Sequence, residues 1–281
     1  MQANLVLVDG RSTTLITVAD RGFQYGDGCF TTLEVRQGVP LFQERHLQRL
    51  QRDYTRLRIP FDQTAALHAE LAAMAAEGGN GVLKVILTRG AGGRGYRCPE
   101  PPQPSRVLSF HPMPEYPTAW ASAGVALHLC KTRLGINPAL AGIKHLNRLE
   151  QILARAEWTD PDTPEGLLLD AQGCVTEGTM SNVFLVQGGV LTTPKLDRCG
   201  VAGVMREMVM ELAAGMGLRV RQRRCRLADV YQADEVFLSN CLIGLWPVRR
   251  LGEHAWRPGP CFQRLHAAVA NAKQEAAACA A

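Results

Sequence analysis

The sequence predicts an α/β protein with two domains and a cleft between them. Strand-like and helix-like hydrophobic patterns alternate in both halves of the chain, and mixed segments of this length can each bury a core. Between the halves, the segment HPMPEYPTAW carries three prolines and no hydrophobic periodicity, which is typical of a linker. We therefore expect an N-terminal domain over residues 1–111, a linker over 112–120 and a C-terminal domain over 121–267.

Hydrophobic spacing separates strands from helices in the N-terminal domain. The run LVLV is followed by an Asp-Gly pair, which is typical of a short strand and its turn. Leu47, Leu50 and Tyr54 recur at helical spacing between Arg and Gln residues, which predicts an amphipathic helix. The predicted elements are strands at 5–8, 30–35, 81–88 and 105–110 and helices at 43–57 and 64–76.

The C-terminal domain is predicted in the same way. Its basic run RVRQRRCR alternates in character and indicates an exposed strand rather than a nucleic-acid-binding patch. The tail over 268–281 is alanine-rich without an apolar face, so we expect it to be frayed. The predicted elements are strands at 125–132, 166–170, 183–186, 219–225 and 235–238 and helices at 145–159, 204–216 and near 262.

Composition excludes several classes of protein. The nine cysteines are scattered and never spaced CxxC, which indicates reduced thiols and argues against both a disulfide framework and a metal site. No apolar run approaches the ~20 residues of a membrane span, and the start lacks the pattern of a signal peptide. The net charge of +5 is modest. We expect a cytoplasmic protein without nucleic-acid or membrane partners.

Lysine is scarce, so lysine chemistry has few candidates. The five lysines stand at positions 84, 131, 144, 195 and 273. Lys144 follows the small and apolar residues LAGI, whose packing would desolvate its ammonium and lower its pKa, as an amine nucleophile requires. It could equally be a solvated lysine at the start of a helix. Spacing and charge alone leave these alternatives balanced.

A glycine-rich loop, GAGGRG, follows the strand predicted at 81–88. It fits the G-x-G-x-x-G pattern, but a dinucleotide-binding loop must open a helix. Prolines follow here instead, and they exclude helical backbone before them. Arg94 in this loop could recognise a ligand or could face solvent in a mobile connection. The sequence leaves both interpretations open.

Several motifs together resemble one enzyme family. In chain order they are DRGFQYGDGCFTT, RHLQRL, LTRGAGGRGY, AGIKHLNRLEQ, VTEGTMSNVF and GVAGVMRE. They are similar to segments of the fold-type IV pyridoxal-phosphate (PLP) enzymes, the branched-chain-aminotransferase-like class IV family, over nearly the whole chain. The resemblance implies two α/β domains with PLP in the interdomain cleft, and a homodimer. Within the family, GDGCFTT, GGRGY and GIKHLNRLEQ resemble the aminodeoxychorismate lyases.

The resemblance implies roles for cofactor-binding residues. Lys144 would bind PLP covalently and act as the catalytic base. Glu177 would pair with the pyridine nitrogen and keep it protonated, so that the ring can accept electrons. Arg45 would hold the phosphate through charge-assisted hydrogen bonds, although a surface arginine on a helix is the alternative.

Two further segments would hold the phosphate by their backbone. Val204 and Met205 begin a predicted helix, whose N–H groups and dipole attract a dianion. Asn240 and Cys241 occupy the second phosphate loop that the family implies. Cys241 and Met205 stand where relatives often carry threonine, so side-chain hydrogen bonds are not expected from them.

The implied reaction converts 4-amino-4-deoxychorismate to 4-aminobenzoate and pyruvate. This substrate carries two carboxylates, for which Arg94, Thr31 and Tyr25 are the candidate ligands. An aminotransferase acting on D-amino acids or branched-chain amino acids would keep the same cofactor residues. A binding protein that has lost its cofactor is the non-enzymatic alternative.

Overall fold

The computed structural model describes residues 5–278, which form two compact units. In the described part of the chain, unit 1 contains residues 5–114, Lys144–Asn147 and the chain from Lys273 onward, and unit 2 contains Glu115–Ile143 and Arg148–Ala272. The chain passes from unit 1 to unit 2 within the predicted linker. Lys144 is therefore part of the N-terminal unit, although the sequence suggested a place in the C-terminal domain.

Unit 1 is a six-stranded antiparallel sheet with helices. The strand order is β2-β1-β6-β5-β3-β4. The elements in chain order are β1 Val6–Val8, β2 Arg11–Ser12, α1 Arg21–Tyr25, β3 Gly28–Arg36, β4 Val39–Pro40, α2 Gln43–Arg56, α3 Thr64–Gly78, β5 Gly81–Thr88 and β6 Ser105–His111.

The two faces of this sheet have different roles. Leu33 of β3 is buried in a core with Leu50 of α2 and Leu71 of α3. Because side chains alternate along a strand, Phe30 and Thr32 project from the opposite face. The candidate site includes residues of this second face, because Lys144 lies against the Phe30 ring.

Unit 2 contains a mixed ten-stranded sheet. Its order is β12-β11-β10-β14-β15-β7-β8-β9-β13, with β16 paired to β15. The elements in chain order are α4 Thr118–Ser122, β7 Val125–Leu134, α5 Leu149–Arg155, β8 Glu165–Asp170, β9 Cys174–Gly178, β10 Asn182–Gln187, β11 Val190–Pro194, α6 Val204–Gly215, β12 Arg219–Arg223, β13 Cys225–Arg226, α7 Leu227–Tyr231, β14 Glu235–Asn240, β15 Gly244–Leu251, β16 His254–Ala255 and α8 Pro260–Ala278. The basic run forms the exposed strand β12, as predicted.

Two predicted elements were wrong. The helix predicted at 145–159 begins only at Leu149, because the preceding residues hydrogen-bond to β3 instead; Leu146 N–H donates to Gly28 O at 3.0 Å. The tail predicted to be frayed is helical up to Ala278. Its Lys273 is buried and pairs with Glu34 at 2.7 Å, an ion pair that compensates the cost of burying either charge. Residues 279–281 of the predicted tail lie outside the described residues.

Candidate active site

Lys144 is held through its backbone. Its carbonyl accepts a hydrogen bond from Phe30 N–H at 3.0 Å, and its own N–H donates to Asp53 Oδ2 at 3.0 Å. Its Nζ lies 4.5 Å from the centroid of the Phe30 ring, a cation–π distance. Since α5 begins at Leu149, Lys144 does not start a helix, and the alternative based on a helix dipole does not apply.

A buried polar network from α2 lies beside this backbone. Thr31 Oγ1 lies 2.7 Å from His46 Nδ1 and accepts a hydrogen bond from Arg49 Nη2 at 2.6 Å. Burial, together with the charges of Arg49 and Lys144, holds the pKa of His46 well below its ordinary value, so this imidazole is neutral. Burial also raises the pKa of Asp53, which the hydrogen bond from Lys144 N–H opposes.

Thr31, a predicted substrate ligand, lies in this buried network. Its side chain is 0% exposed, and its hydroxyl is engaged by His46 and Arg49. The physical reason is the strand alternation of β3, which turns Thr31 toward α2 and its neighbour Thr32 toward the face of Phe30. The sequence motif contains both Thr31 and Thr32, and only the packing of β3 shows which of the two is buried.

Lys84 lies on the same face of the sheet as Phe30, although its sequence motif does not single it out. Its Nζ lies 5.3 Å from the centroid of the Phe30 ring. Lys84 pairs with Thr32 across β5 and β3, so the two residues share a face. The signal in the sequence was the alternation of β5, in which Leu83 and Val85 are buried in the core and Lys84 lies between them.

The glycine-rich loop is fastened to α1. Arg21 donates to the carbonyls of Gly95 at 2.9 Å and Tyr96 at 3.3 Å, and Tyr25 Oη accepts from Gly95 N–H at 3.2 Å. Arg94 is exposed at the tip of this loop. The structure thus brings Tyr25 and the Arg94 loop together. Both a backbone N–H group and backbone carbonyl groups of the loop are hydrogen-bonded to α1.

Two arginines of α2 differ in their surroundings. Arg45, the predicted phosphate ligand, is half-buried in the first turn of α2. Arg49 is buried and acts electrostatically on both His46 and Asp53. Sequence reasoning missed Arg49, although its helical spacing from His46 and Asp53 places all three on one side of α2.

Glu177 is held through its side chain. It lies in β9 and is 4% exposed. Its Oε2 accepts from Val201 N–H at 2.7 Å, and its Oε1 lies 3.5 Å from Gln151 Nε2. Each carboxylate oxygen therefore faces a donor.

The start of α6 is arranged around a glycine. Gly203 is the N-cap of α6, and no side chain among residues 5–278 caps this end by a hydrogen bond. A Cβ at Gly203 would meet Asn182 Oδ1 at 2.3 Å, so a larger residue would have to displace the Asn182 side chain, which donates to Val201 O. Val204 and Met205 bury their side chains, so any contact with an anion at this end of α6 would come from backbone N–H groups.

Asn240 and Cys241 form a tight turn after β14. Asn240 Oδ1 accepts from the N–H groups of Leu242 and Ile243, both at 2.9 Å, and its Nδ2 donates to Met180 O at 3.2 Å. Its side chain therefore shapes the turn. Cys241 is half-buried.

The described residues show neither a metal site nor a membrane-spanning helix. Within residues 5–278, no group of three or more His, Cys, Asp or Glu side chains is arranged to hold a metal ion. Over the same residues, no helix combines the length and apolar character that crossing a membrane would require.

Comparisons with known proteins agree with one another. An aminodeoxychorismate lyase from Vibrio harveyi is 40% identical over 242 residues, covering 86% of this chain and 89% of that protein. A putative branched-chain-amino-acid aminotransferase from Methanocaldococcus jannaschii is 29% identical over 236 residues, covering 83% of this chain and 81% of that protein.

The solved structure of 4-amino-4-deoxychorismate lyase from Pseudomonas aeruginosa has 50% identity and a TM-score of 0.92, with 95% of this chain and 98% of that chain covered. This likeness confirms the predicted fold type. The model of the family amino-transferase class IV matches residues 28–251, and the chain therefore belongs to that family, as its motifs predicted.

Proposed function

We propose that this protein is a PLP-dependent lyase that converts 4-amino-4-deoxychorismate to 4-aminobenzoate and pyruvate, a step toward folate. The observation that carries the proposal is its similarity, at 50% identity over 95% of the chain, to a solved 4-amino-4-deoxychorismate lyase. The arrangement around Lys144 supports it, because the fixed backbone and the cations on the Phe30 face suit an amine that reacts with an anionic substrate.

The residues present fit PLP. The N-terminus of α6 carries no side-chain cap among the described residues, and Ser239 Oγ, next to the Asn240 turn, is buried without a hydrogen-bond partner in that same range. Both are features that a phosphate would satisfy. We propose that the backbone at Val204, Met205, Asn240 and Cys241 holds the phosphate. PLP, when bound, supplies a ring that accepts electrons from the bond being broken.

An arginine of α2 completes phosphate binding in this proposal. Arg45 is the residue expected from the motif, and Arg49 is the one that the packing favours, since it is buried in the network that holds the Lys144 backbone. A desolvated guanidinium interacts more strongly with a phosphate than an exposed one. We therefore propose Arg49 as the stronger phosphate ligand and Arg45 as the weaker one.

The proposed chemistry rests on proton transfers by Lys144. Lys144 would hold the cofactor covalently between turnovers; the substrate amine would take its place, and Lys144 would in turn displace the amine of the product. With the substrate bound, its Nζ removes the proton from the ring carbon that bears the amine, which is general-base catalysis. The C–O bond to the enolpyruvyl group breaks and the ring becomes aromatic. Lys144 returns a proton to the departing enolpyruvyl group, which leaves as pyruvate. Glu177 would supply a fixed negative charge for the pyridine nitrogen of the bound cofactor.

Substrate binding needs cations for two carboxylates. We propose Arg94 and Lys84 for this role, with Tyr25 supporting the loop of Arg94 through its contact with Gly95. Lys84 is included because its ammonium lies near the same Phe30 ring as Lys144. A charge-assisted hydrogen bond from either cation contributes about 1.5–3 kcal/mol.

The exposed apolar side chains support a homodimer. Each unit by itself exposes large apolar residues that are close together in sequence, and clusters of such residues on a protein surface often mark an interface. We propose that a second copy covers them, and that the enzyme works in the cytoplasm, where the free thiols of its described cysteines would persist. The residues are Leu15, Val18 and Phe23 of unit 1 and Leu149, Ile152 and Leu153 of unit 2.

One experiment separates this function from its competitors. Purified protein loaded with PLP is incubated with 4-amino-4-deoxychorismate, and 4-aminobenzoate and pyruvate are both measured. The lyase yields the two products in equal amounts. An aminotransferase, the activity named for the Methanocaldococcus relative, would instead consume D-alanine or L-leucine and transfer the amino group to the cofactor. Protein that gains no visible cofactor absorption with PLP would contradict both activities.

A further inference from the structure

Helix α5 turns one polar residue inward. Gln151 is 9% exposed and Ala154 is fully buried, whereas Leu149, Ile152 and Leu153 are exposed. Glutamine is mostly exposed in proteins, so a buried glutamine on the inner side of this short helix is unusual. The inward position of Gln151 therefore requires a specific partner.

The partner of Gln151 is Glu177. Gln151 Nε2 lies 3.5 Å from Glu177 Oε1, at the long end of the hydrogen-bond range. The other carboxylate oxygen is held by Val201 N–H at 2.7 Å. Gln151 Oε1 is buried and has no hydrogen-bond partner among residues 5–278. A buried amide that is only half satisfied is unusual in a native protein, and it stands directly beside the carboxylate.

We propose that Gln151 is a positioning residue for Glu177, an inference that rests on the proposed PLP function. Its amide donates to Glu177 Oε1 and fixes the rotation of the carboxylate toward the pyridine nitrogen. A neutral donor suits this task, because it orients Glu177 without neutralising it. A lysine or arginine at position 151 would compete with the protonated pyridine for the same negative charge.

The test compares two ligands that differ at one ring atom. PLP and its 1-deaza analogue, which has carbon in place of the pyridine nitrogen, are titrated into apoenzyme and binding is followed by absorbance. Gln151→Met keeps the length of the side chain and removes the donor. We expect it to bind PLP roughly three- to tenfold more weakly than the parent and to bind the 1-deaza analogue as the parent does. Gln151→Leu is the second variant, and exposed Gln187→Met is the matched control.

The outcomes distinguish positioning from a structural role. Equal weakening for both ligands, or failure of both Gln151 variants to fold, would mean that Gln151 only supports packing and would overturn the proposal. Unchanged PLP binding would overturn it as well. In a Glu177→Gln background, Gln151→Met should cause no additional loss for PLP, because the residue acts through Glu177. If the parent itself does not bind PLP, the proposed function fails first, and that result is visible before any variant is made.

Discussion

The region of Lys144 and the region of Glu177 are held in opposite ways. Lys144 is fixed through its main chain, by Phe30 N–H and Asp53 Oδ2. Glu177 is fixed through its carboxylate, by Val201 N–H and Gln151. The backbone anchor of Lys144 leaves its long side chain able to change position. The anchor of Glu177 instead immobilises the charged carboxylate.

The difference follows from the two proposed tasks. A lysine that binds a cofactor and then moves protons must change partners during the reaction, so its anchor belongs on the backbone. A carboxylate that stabilises charge works best when it does not reorganise, so its anchor belongs on the charged group.

The largest effect is expected from Lys144→Ala. Without its amine the protein should bind PLP weakly, should not attach it covalently and should lose turnover. The measurement is borohydride reduction of the loaded protein followed by peptide mapping. Lys131→Ala, at an exposed strand position, serves as the control. Reduced cofactor found on Lys84 or Lys131 in the parent would contradict the assignment.

Replacing Glu177 with Gln keeps its shape and removes its charge. We expect turnover to fall ~10²-fold or more, since each 1.36 kcal/mol of lost transition-state stabilisation is tenfold. The measurement is kcat with saturating substrate and full PLP content, with exposed Glu253→Gln as the control. A near-normal rate would show that another group keeps the pyridine nitrogen protonated.

The two arginines of α2 should differ in their effect on cofactor affinity. We expect Arg49→Ala to weaken PLP binding roughly ten- to hundredfold, the loss of one or two charge-assisted hydrogen bonds. Arg45→Ala should have a smaller effect. Equilibrium titration of apoenzyme with PLP measures both. The reverse order would restore Arg45 as the main phosphate ligand.

Arg94→Ala tests substrate recognition separately from cofactor binding. We expect kcat/KM to fall roughly ten- to hundredfold while the cofactor absorbance stays unchanged. Arg97→Ala, exposed on the same loop, is the control. Lys84→Ala should behave like Arg94→Ala if it binds the second carboxylate. A value within about twofold of the parent would make Arg94 a bystander.

The smallest effect is expected from the backbone anchor of Lys144. Asp53→Ala should lower kcat about tenfold by releasing the Lys144 N–H, whereas Asp53→Asn keeps an acceptor and should retain most of the rate. Steady-state kinetics measures the split between kcat and KM, and covalent PLP content is followed in parallel. Equal losses in both variants would show that the charge of Asp53 matters and the hydrogen bond does not.

Much of the candidate site was predictable from local sequence. Lys144 and Glu177 stand in motifs whose order and spacing resemble one family, and the helix start at Val204 is a local pattern that the structure confirms. Lys84, Arg49 and Gln151 were missed because each looks ordinary in its own segment.

The sequence by itself determined most of the longer elements and the family, because hydrophobic spacing and motif order are local properties of the chain. Only the tertiary structure decided which face of β3 meets α2, and hence that Thr31 is buried while Thr32 shares the face of Phe30 and Lys84. It also decided that 144–147 joins unit 1 and that the alanine-rich tail is helical up to Ala278. These outcomes depend on partners distant in sequence, such as Asp53 for Lys144, and no local pattern contains them.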